Sequence, residues 1–137
     1  MDVYLPDTNI LIYAYNGISP YDSLVTDWIN SNSIIISSIV AAEFLSGGDE
    51  RARKIFQNLV EKLDTIAIDT KIAYIAAAYK REYTKSKPSL KLPDCLIAAT
   101  AKQHDATLVT ANSVDFPMKD IKKIQPKTTP NGTEARA

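Results

Sequence analysis

The stretch Leu5-Pro6-Asp7-Thr8-Asn9-Ile10-Leu11-Ile12 decides the fold. It continues a short run at 2–5 that predicts a first strand, and Pro6 ends this strand because proline has no N–H to give to a ladder. After Asn9 the apolar residues return at helical spacing, which predicts a helix. Asp7 therefore lies where a strand passes into a helix. In an α/β protein such a junction belongs to the carboxyl edge of the sheet, where ligands bind.

Asp7 has a second interpretation, as the N-cap of that helix. Aspartate is a preferred capping residue, and for a single aspartate capping is the stronger reading. Thr8 or Asn9 would serve as well, however, so the helix does not require a carboxylate at this point. Three further acids recur at equivalent junctions along the chain, and this recurrence favours a functional site.

The composition is that of an ordinary globular domain. Its 137 residues suit one domain with a single core, and the hydrophobic share of 45% is typical of such a core. No apolar run approaches the roughly 20 residues of a membrane-spanning helix, and the N-terminus lacks the features of a secretory signal. The single cysteine, Cys95, excludes an internal disulfide. We therefore expect a cytoplasmic protein with no membrane association.

The charges balance over the whole chain, with 16 basic and 16 acidic residues. If four of the acids share one site, the 16 basic residues face only 12 other acids, a surplus of four positive charges. A mildly basic surface around an acidic pocket suits a polyanion whose phosphate groups meet metal ions.

Single strands alternate with pairs of helices along the rest of the chain. Compact apolar or β-branched runs predict further strands at 33–37, 63–68, 107–110 and 121–124. Helical spacing predicts helices at 21–30, 39–45 and 49–62, one that begins after Asp69 or Thr70, and one that opens with Pro93 and lasts to about His104. This alternation predicts an α/β domain over 1–125, with a parallel sheet and helices on both faces. Residues 126–137 carry no apolar face, and we expect a disordered polar tail there.

Four acids stand near strand ends or in the helices beside them. Asp7 follows the first strand, Glu43 lies in the helix after the second, Asp94 opens the helix before the fourth, and Asp115 lies in the loop after the fourth. Four carboxylates in one cleft repel each other unless cations neutralise them. Oxygen ligands in that number suit hard divalent ions such as Mg2+ or Mn2+. Such a site lowers the pKa of a bound water and stabilises the charge that develops at phosphorus.

Each acid also has an ordinary structural interpretation. Glu43 suits a solvated helix surface, although its apolar neighbours favour partial burial and a partner. Asp94 suits the N-terminal dipole of its helix, and Asp115 suits a turn. Each of these readings is the stronger one for a single residue. Their coincidence at one edge of the sheet favours a shared site.

Four segments carry a family resemblance. They are Asp7-Thr8-Asn9, Ser38-Ile39-Val40-Ala41-Ala42-Glu43-Phe44, Leu92-Pro93-Asp94-Cys95-Leu96-Ile97-Ala98-Ala99-Thr100-Ala101 and Leu108-Val109-Thr110-Ala111-Asn112-Ser113-Val114-Asp115-Phe116. In this order they resemble the four motifs of PIN-domain ribonucleases, and the resemblance is closest to the VapC-type toxins of bacterial toxin–antitoxin pairs. It covers roughly residues 1–125.

The resemblance implies a three-layer α/β/α fold around a parallel sheet of four to five strands. It implies Mg2+- or Mn2+-dependent endoribonuclease activity on tRNA or another cellular RNA, and a cognate antitoxin protein as partner. It implies catalytic and metal-binding roles for Asp7, Glu43, Asp94 and Asp115, with Thr8, Asn9, Thr110 and Asn112 as supporting polar residues. Some relatives carry an acid at the position of Asn112, so either Asn112 or Asp115 completes the site.

Two further surfaces suit macromolecular partners. A basic cluster precedes Asp94 and consists of Lys80, Arg81, Lys85, Lys87 and Lys91. It suits RNA phosphates beside the site, and equally a solvated helix end with cations near its C-terminus. A surplus apolar patch on the early helices would serve an antitoxin or a homodimer, and we expect a homodimer.

Several other kinds of chemistry are excluded. His104 is the only histidine, so a ribonuclease that uses two histidines as acid and base is impossible. Cys95 and His104 are separated by about 13 Å of helical rise and cannot form a nucleophile pair. Two alternatives stay open. One is a receiver-type signalling domain with Asp69 as phosphoacceptor, and the other is a PIN-like module that binds RNA or protein without cleaving it.

Overall fold

Five parallel strands form the centre of the domain in the computed structural model, which describes residues 2–128 and 134–135. The strands are β1 (Tyr4–Pro6), β2 (Ile35–Ser37), β3 (Asp64–Ile66), β4 (Thr107–Val109) and β5 (Lys122–Ile124). Their spatial order is β3-β2-β1-β4-β5, where a single parallel bridge between Tyr4 and Ile34 joins β1 to β2. The first strand is therefore central, and its carboxyl end lies beside that of β4.

Pro6 is the last residue of β1, whereas the sequence had suggested that it directly follows the strand. The Tyr4 N–H donates toward β2, to the Ser33 carbonyl, whereas the Asp7 N–H donates toward β4, to the Val109 carbonyl. Because N–H groups alternate in direction along a strand, the missing N–H of Pro6 faces β2. Proline therefore ends the pairing of β1 with β2 while the pairing with β4 continues.

Six helices surround the sheet. They are α1 (Thr8–Tyr15), α2 (Tyr21–Asn30), α3 (Ser38–Ser46), α4 (Glu50–Lys62), α5 (Thr70–Tyr83) and α6 (Leu92–Gln103). Four of them have an N-cap residue whose side chain accepts a backbone N–H of the first turn. These N-cap residues are Asp7, Ser37, Asp49 and Asp69. The first helix thus begins at Thr8, before the position expected from the sequence, because Asp7 caps it.

The helices lie in two layers. α1 packs against α2 and α3, α3 packs against α4, and α5 packs against α6. Crossovers between parallel strands are right-handed, so the direction in which the chain crosses the sheet decides on which face its helices lie. The chain moves outward from β1 to β3, which places α1 to α4 on one face. It then returns from β3 to β4, which places α5 and α6 on the other. The three-layer α/β/α fold expected from the sequence is confirmed. α6 is buried along most of its length and holds the helix layer against the central strands.

The chain beyond the fifth strand differs in part from the expected disordered tail. Two further strands, β6 (Lys127–Thr128) and β7 (Glu134–Ala135), form an antiparallel pair. Backbone pairing needs no apolar side-chain face, which is why the polar sequence gave no sign of it. The other residues of the predicted tail, 129–133 and 136–137, lie outside the described residues. Among the helices of residues 2–128, none has the length and hydropathy of a bilayer-crossing segment.

Candidate active site

A cleft of about 170 Å3 opens at the carboxyl ends of β1 and β4. Its lining consists of Asp7, Thr8, Asn9, Glu43, Asp94, Ile97, Asp115 and Phe116. All four acids singled out in the sequence are therefore brought to one place. Ile97 and Phe116 were not anticipated, and both are buried. Ile97 lies three residues after Asp94 on the same face of α6, a spacing that indicates its position in retrospect.

Asp7 fulfils both interpretations considered for it. Its Oδ1 accepts the Ile10 N–H at 3.2 Å and so caps α1, while the carboxylate also lines the cleft. The side chain is buried, and burial raises its pKa, assisted by the charge of Asp115. Hydrogen bonds from the Thr110 side chain and from the Ile10 backbone oppose this rise. Asp7 is thus a buried acid held in one orientation by several donors.

Glu43 is exposed, which contradicts the partial burial expected from its apolar neighbours. The buried stripe of α3 runs through Val40, Ala41 and Phe44, and Glu43 lies beside this stripe and not within it. The expected partner is present, since the Thr8 hydroxyl donates to Glu43 Oε1 at 2.7 Å. Glu43 is thus oriented toward the cleft by a hydrogen bond and not by burial.

Asp94 stands in the first turn of α6. Its pKa is raised from 3.8 to about 6, chiefly by burial and then by the charges of Asp115, Glu43 and Asp7, while Lys91 opposes the rise. Asp94 therefore lies within electrostatic range of the other three carboxylates. Carboxylates with raised pKa values in a cleft indicate a functional site, and a bound cation would relieve the repulsion among them.

Asp115, and not Asn112, lines the cleft. Asp115 lies in a 3-10 turn, Ser113–Asp115, that follows β4. The Asn112 side chain is exposed, and its backbone N–H donates to the Thr110 hydroxyl at 3.1 Å. The geometry therefore favours Asp115 as the fourth acid, with Thr110 as the residue that supports both Asp7 and the turn.

Two residues of the β5 region fasten the turn that carries Asp115. The Lys123 ammonium donates to the Ser113 carbonyl at 3.0 Å and to the Phe116 carbonyl at 2.6 Å. Gln125 Oε1 accepts the Ser113 N–H at 2.7 Å. Lys123 and Gln125 are two positions apart, so their side chains point to the same side of an extended chain. Sequence reasoning missed both residues because neither is acidic or part of a family motif.

The five members of the basic cluster differ in what they contact. Lys87 Nζ lies 3.9 Å from Asp115 Oδ1, and Lys91 precedes α6 and lowers the pKa of Asp94. Lys80 donates to the Leu90 carbonyl and so ties α5 to the segment before α6. The remaining two members, Arg81 and Lys85, are exposed and do not line the cleft. The structure thus brings Lys87 and Lys91 to the acids.

The donor set of the cleft fits a hard divalent cation. Within the described part of the chain, no three His, Cys, Asp or Glu side chains converge tightly enough to hold a metal ion by themselves. The cleft nevertheless presents four carboxylates. Mg2+ commonly keeps several waters and is held by one or two carboxylates together with substrate phosphates, so a closed protein cage is not required.

A larger apolar groove lies between α1, α2, α3 and α4. Its volume is about 480 Å3, and its lining consists of Leu11, Ala14, Tyr15, Asp22, Val25, Thr26, Ile29, Phe44, Ile55, Phe56, Asn58, Leu59 and Lys62. Ile55 lies at helical spacing from the buried Ala52 and Phe56 of α4, yet it is 46% exposed because this face of the helix lines the groove. Tyr15 is 39% exposed on the opposite wall. The groove is thus an unfilled apolar surface between helices.

The receiver-type alternative is inconsistent with the topology. Asp69 would have to follow a central strand as a phosphoacceptor, but β3 lies at the edge of the sheet. The Asp69 carboxylate instead accepts the Ile72 N–H at 2.9 Å and caps α5. The acids instead converge at the central strand β1 and its neighbour β4, away from the edge strand that Asp69 follows.

The fold and the acidic cleft define a PIN domain: the model of that family matches residues 4–122, and the chain belongs to the PIN domain family. The chain is 34% identical to Ribonuclease VapC2 of Rickettsia felis over 83% of its length and 90% of that protein. It is 29% identical to Ribonuclease VapC10 of Mycobacterium tuberculosis, over 97% and 98% of the two chains.

Solved structures agree with this assignment. A chain of VapBC2 from Rickettsia felis, bound to a promoter DNA fragment, superposes with a TM-score of 0.75 and 25% identity over 90% of this chain and 98% of its own. A toxin–antitoxin complex from Klebsiella pneumoniae gives a TM-score of 0.74 and 28% identity over 96% and 99%. The resemblance to PIN-domain ribonucleases of the VapC type is confirmed.

Proposed function

We propose that this protein is the ribonuclease toxin of a toxin–antitoxin pair, and that it hydrolyses phosphodiester bonds of tRNA or another cellular RNA with a divalent cation. The observation that carries the proposal is the convergence of four carboxylates from four separate elements on one cleft. The relatives named ribonucleases support the reaction class. The intact acid set argues against the alternative of a PIN-like module that binds without cleaving.

The side chains of the cleft have distinct tasks in this proposal. Asp7, Asp94 and Asp115 would hold the cation together with water or substrate phosphate, and the bound cation would supply Lewis acidity and an activated water. Thr8 orients Glu43, which faces the cleft with one oxygen engaged and the other free to orient or deprotonate the attacking water. Thr110 holds Asp7 in place. The buried Ile97 and Phe116 give the cleft an apolar wall that strengthens these electrostatic contacts.

Mg2+ or Mn2+ is the proposed ion. The acids that line the cleft offer only oxygen donors, whereas a zinc site commonly draws on cysteine and histidine. The single cysteine, Cys95, is buried in α6, and the single histidine, His104, ends that helix. Neither lines the cleft. Hard divalent ions therefore suit this site better than zinc.

RNA approaches the cleft over a basic rim. Lys87 and Lys91 stand next to Asp115 and Asp94, and Arg81 and Lys85 extend the positive charge from the end of α5. Cations beside an acidic, metal-dependent centre attract the phosphates that flank the bond to be cleaved. We propose Arg81, Lys85, Lys87 and Lys91 as phosphate contacts. Lys80, which is tied to the Leu90 carbonyl, is a more distant member of the cluster.

The decisive experiment measures cleavage of total tRNA and of a generic single-stranded RNA by the purified chain, with Mg2+, Mn2+ or EDTA. Asp7→Asn should abolish cleavage and keep the fold, because asparagine caps a helix as well as aspartate does. Asp69→Asn is the matched control, since Asp69 makes the same capping contact outside the cleft. Full activity of Asp7→Asn, or equal loss in both variants, would contradict the proposed site.

The antitoxin partner is assigned to the apolar groove between α1, α2, α3 and α4. Solved structures similar to this chain are toxin–antitoxin complexes. An apolar groove of this size suits an amphipathic segment of a partner protein. Ile55→Glu should therefore weaken binding of the antitoxin encoded with this chain and leave RNA cleavage unchanged. Tight binding by that variant would place the antitoxin on another surface.

Two expectations about the environment of the protein remain proposals. A homodimer is expected, and sedimentation of the purified chain would establish its mass in solution. A cytoplasmic location is expected as well, since RNA is the proposed substrate. Fractionation of cells that express the chain with its antitoxin would test that location.

A further inference from the structure

A second cavity lies next to the acidic cleft and is lined by aromatic side chains. Its volume is about 390 Å3, and its lining consists of Tyr13, Ile18, Ser19, Tyr21 and Ala111. The rings of Tyr13 and Tyr21 lie 5.1 Å apart between centroids and are tilted by 40°. This volume is within the roughly 300–1,000 Å3 of small-ligand sites, and so it accommodates a nucleoside.

Two elements join this cavity to the acidic cleft. Tyr13 lies on α1, five residues after Thr8, which is about 7.5 Å along the helix axis. Ala111 directly follows Thr110, whose side chain bonds to Asp7. The charge of Asp7 also contributes to a raised pKa of Tyr21, behind burial and the effect of Tyr13. The aromatic cavity therefore lies within electrostatic range of Asp7, beside the segment that carries Thr110.

We propose that the Tyr13–Tyr21 cavity binds a nucleobase of the single-stranded RNA substrate next to the bond that is cleaved. This proposal rests on the proposed ribonuclease function and adds to it a specificity site. Proteins recognise single-stranded RNA by stacking its bases on aromatic side chains and by hydrogen bonds to their edges. The two rings provide the stacking surface, and the Ser19 hydroxyl provides a polar contact for the base.

Core packing alone does not account for the pair. Both tyrosines are half-buried, and Ile18 at the rim is 43% exposed. The rings of a packed core would fill the space between α1 and the 111–112 segment, whereas a cavity remains there. The acids on one side would receive the phosphate and its cation, and the cavity would receive the adjoining base.

The test is binding of a fluorescently labelled, short single-stranded RNA in EDTA, where no cleavage is required. Tyr13→Leu and Tyr21→Leu keep apolar volume and remove the aromatic face, and each should weaken binding by roughly 5- to 150-fold, the range of base–aromatic stacking. Tyr21→Phe keeps the ring and should stay within about twofold of the wild type. Tyr74→Leu is the control, because Tyr74 is a 72% exposed tyrosine on α5 and outside the cavity.

A second variant does not disturb the rings at all. Ala111→Leu fills the cavity from its wall and should weaken RNA binding to a similar extent, even if a tyrosine variant fails to fold. Moving one abasic nucleotide along the RNA should reveal a single position where the wild type loses affinity. At that position Tyr21→Leu should cause no further loss, because the same contact has already been removed.

The outcomes separate the subsite from the proposed function. Wild-type affinity in Tyr13→Leu, Tyr21→Leu and Ala111→Leu would overturn the subsite, whether or not the protein cleaves RNA. Variants that bind RNA normally but bind the antitoxin less tightly would assign the cavity to the protein interface and also overturn it. A wild type that binds RNA through the tyrosines yet never cleaves would support the subsite and remove the ribonuclease function.

Discussion

The Thr8 hydroxyl donates a 2.7 Å hydrogen bond to Glu43 Oε1, and the two residues are 35 positions apart in the chain. The bond connects the start of α1 with α3 across the opening of the cleft. Glu43 is exposed, so no packing holds its side chain. A hydrogen bond to a charged group is stronger than one between neutral groups, and here it selects the orientation of the carboxylate.

Thr8→Val should reduce kcat for RNA cleavage by about tenfold, equivalent to about 1.4 kcal/mol for a hydrogen bond to a charged acceptor. The capping of α1 should remain intact, because Asp7 provides it. Thr8→Ser keeps the hydroxyl and should restore most of the activity. Steady-state cleavage assays and thermal melts of both variants provide the measurement. Equal activity of the valine and serine variants would show that the bond has no catalytic importance.

Asp94→Asn should abolish activity and stabilise the metal-free protein. The pKa of Asp94 in the folded state is about 6, above its ordinary 3.8, so between these values the folded state binds more protons than the unfolded state. Stability from this group therefore falls as pH rises from about 4 to about 6, and it stays low above that range. Asparagine removes the charge, and the melting temperature in EDTA at neutral pH should rise by roughly 2–5 °C.

The pH series gives the control for this prediction. In EDTA, the wild type should lose melting temperature between about pH 4 and pH 6 more steeply than Asp94→Asn. Added Mn2+ should reduce the difference, because a cation offsets the repulsion among the carboxylates. Parallel pH profiles for the two proteins would mean that the Asp94 carboxylate carries no electrostatic penalty in the fold.

Lys123→Met should lower activity by about tenfold, because the turn that carries Asp115 would lose the hydrogen bonds that hold it in place. The Lys123 ammonium bonds to the carbonyls of Ser113 and Phe116, and losing it frees the turn. Lys122→Met is the matched control, since the neighbouring Lys122 pairs instead with Asp105, 3.0 Å away. Hydrogen exchange of the backbone amides at 113–116 should accelerate in Lys123→Met and not in Lys122→Met.

A double variant tests whether Lys123 acts through Asp115. If it does, adding Lys123→Met to Asp115→Asn should cause no further loss of activity. Lys123→Arg should recover part of the wild-type activity, because guanidinium donates to the same carbonyls. Independent, multiplying losses in the double variant would assign Lys123 a separate role.

Lys87→Gln should weaken RNA binding and reduce its dependence on salt. Lys87 Nζ lies 3.9 Å from Asp115 Oδ1, one of the acids of the cleft proposed to receive the RNA phosphate. Removing one phosphate contact to single-stranded RNA should reduce the slope of log K against log salt by about 0.7. Lys71→Gln is the control, because Lys71 lies in the first turn of α5 whereas Lys87 lies beyond the end of that helix. Identical slopes for the two variants would exclude Lys87 from the RNA contacts.

Local signals in the sequence predicted much of the fold. The bounds of α2 agree with the sequence expectation because a turn precedes it and polar residues end it. Asp49 and Asp69 mark helix starts because capping is a local interaction. The four acids share a cleft because each lies beside the carboxyl end of a strand or in a neighbouring helix, and the strand order brings those positions together.

Features that depend on side-chain direction in three dimensions could not be predicted. The exposure of Glu43 depends on where the buried stripe of α3 lies, which its neighbours alone do not determine. Lys123 contacts a turn seven to ten positions earlier in the chain, through the register of β5. The Tyr13–Tyr21 cavity depends on how α1 meets the segment at Ala111. Such contacts leave no periodic trace in the sequence.

The order in which the cleft is assembled has a consequence for synthesis of the protein in the cell. Asp7 leaves the ribosome first, but its cleft partner Asp115 follows only after β4, and β5 must then emerge before Lys123 can hold the turn. An unfinished chain therefore lacks a complete set of acids. Under the proposed function, RNA cleavage begins only after almost the whole domain has been synthesised.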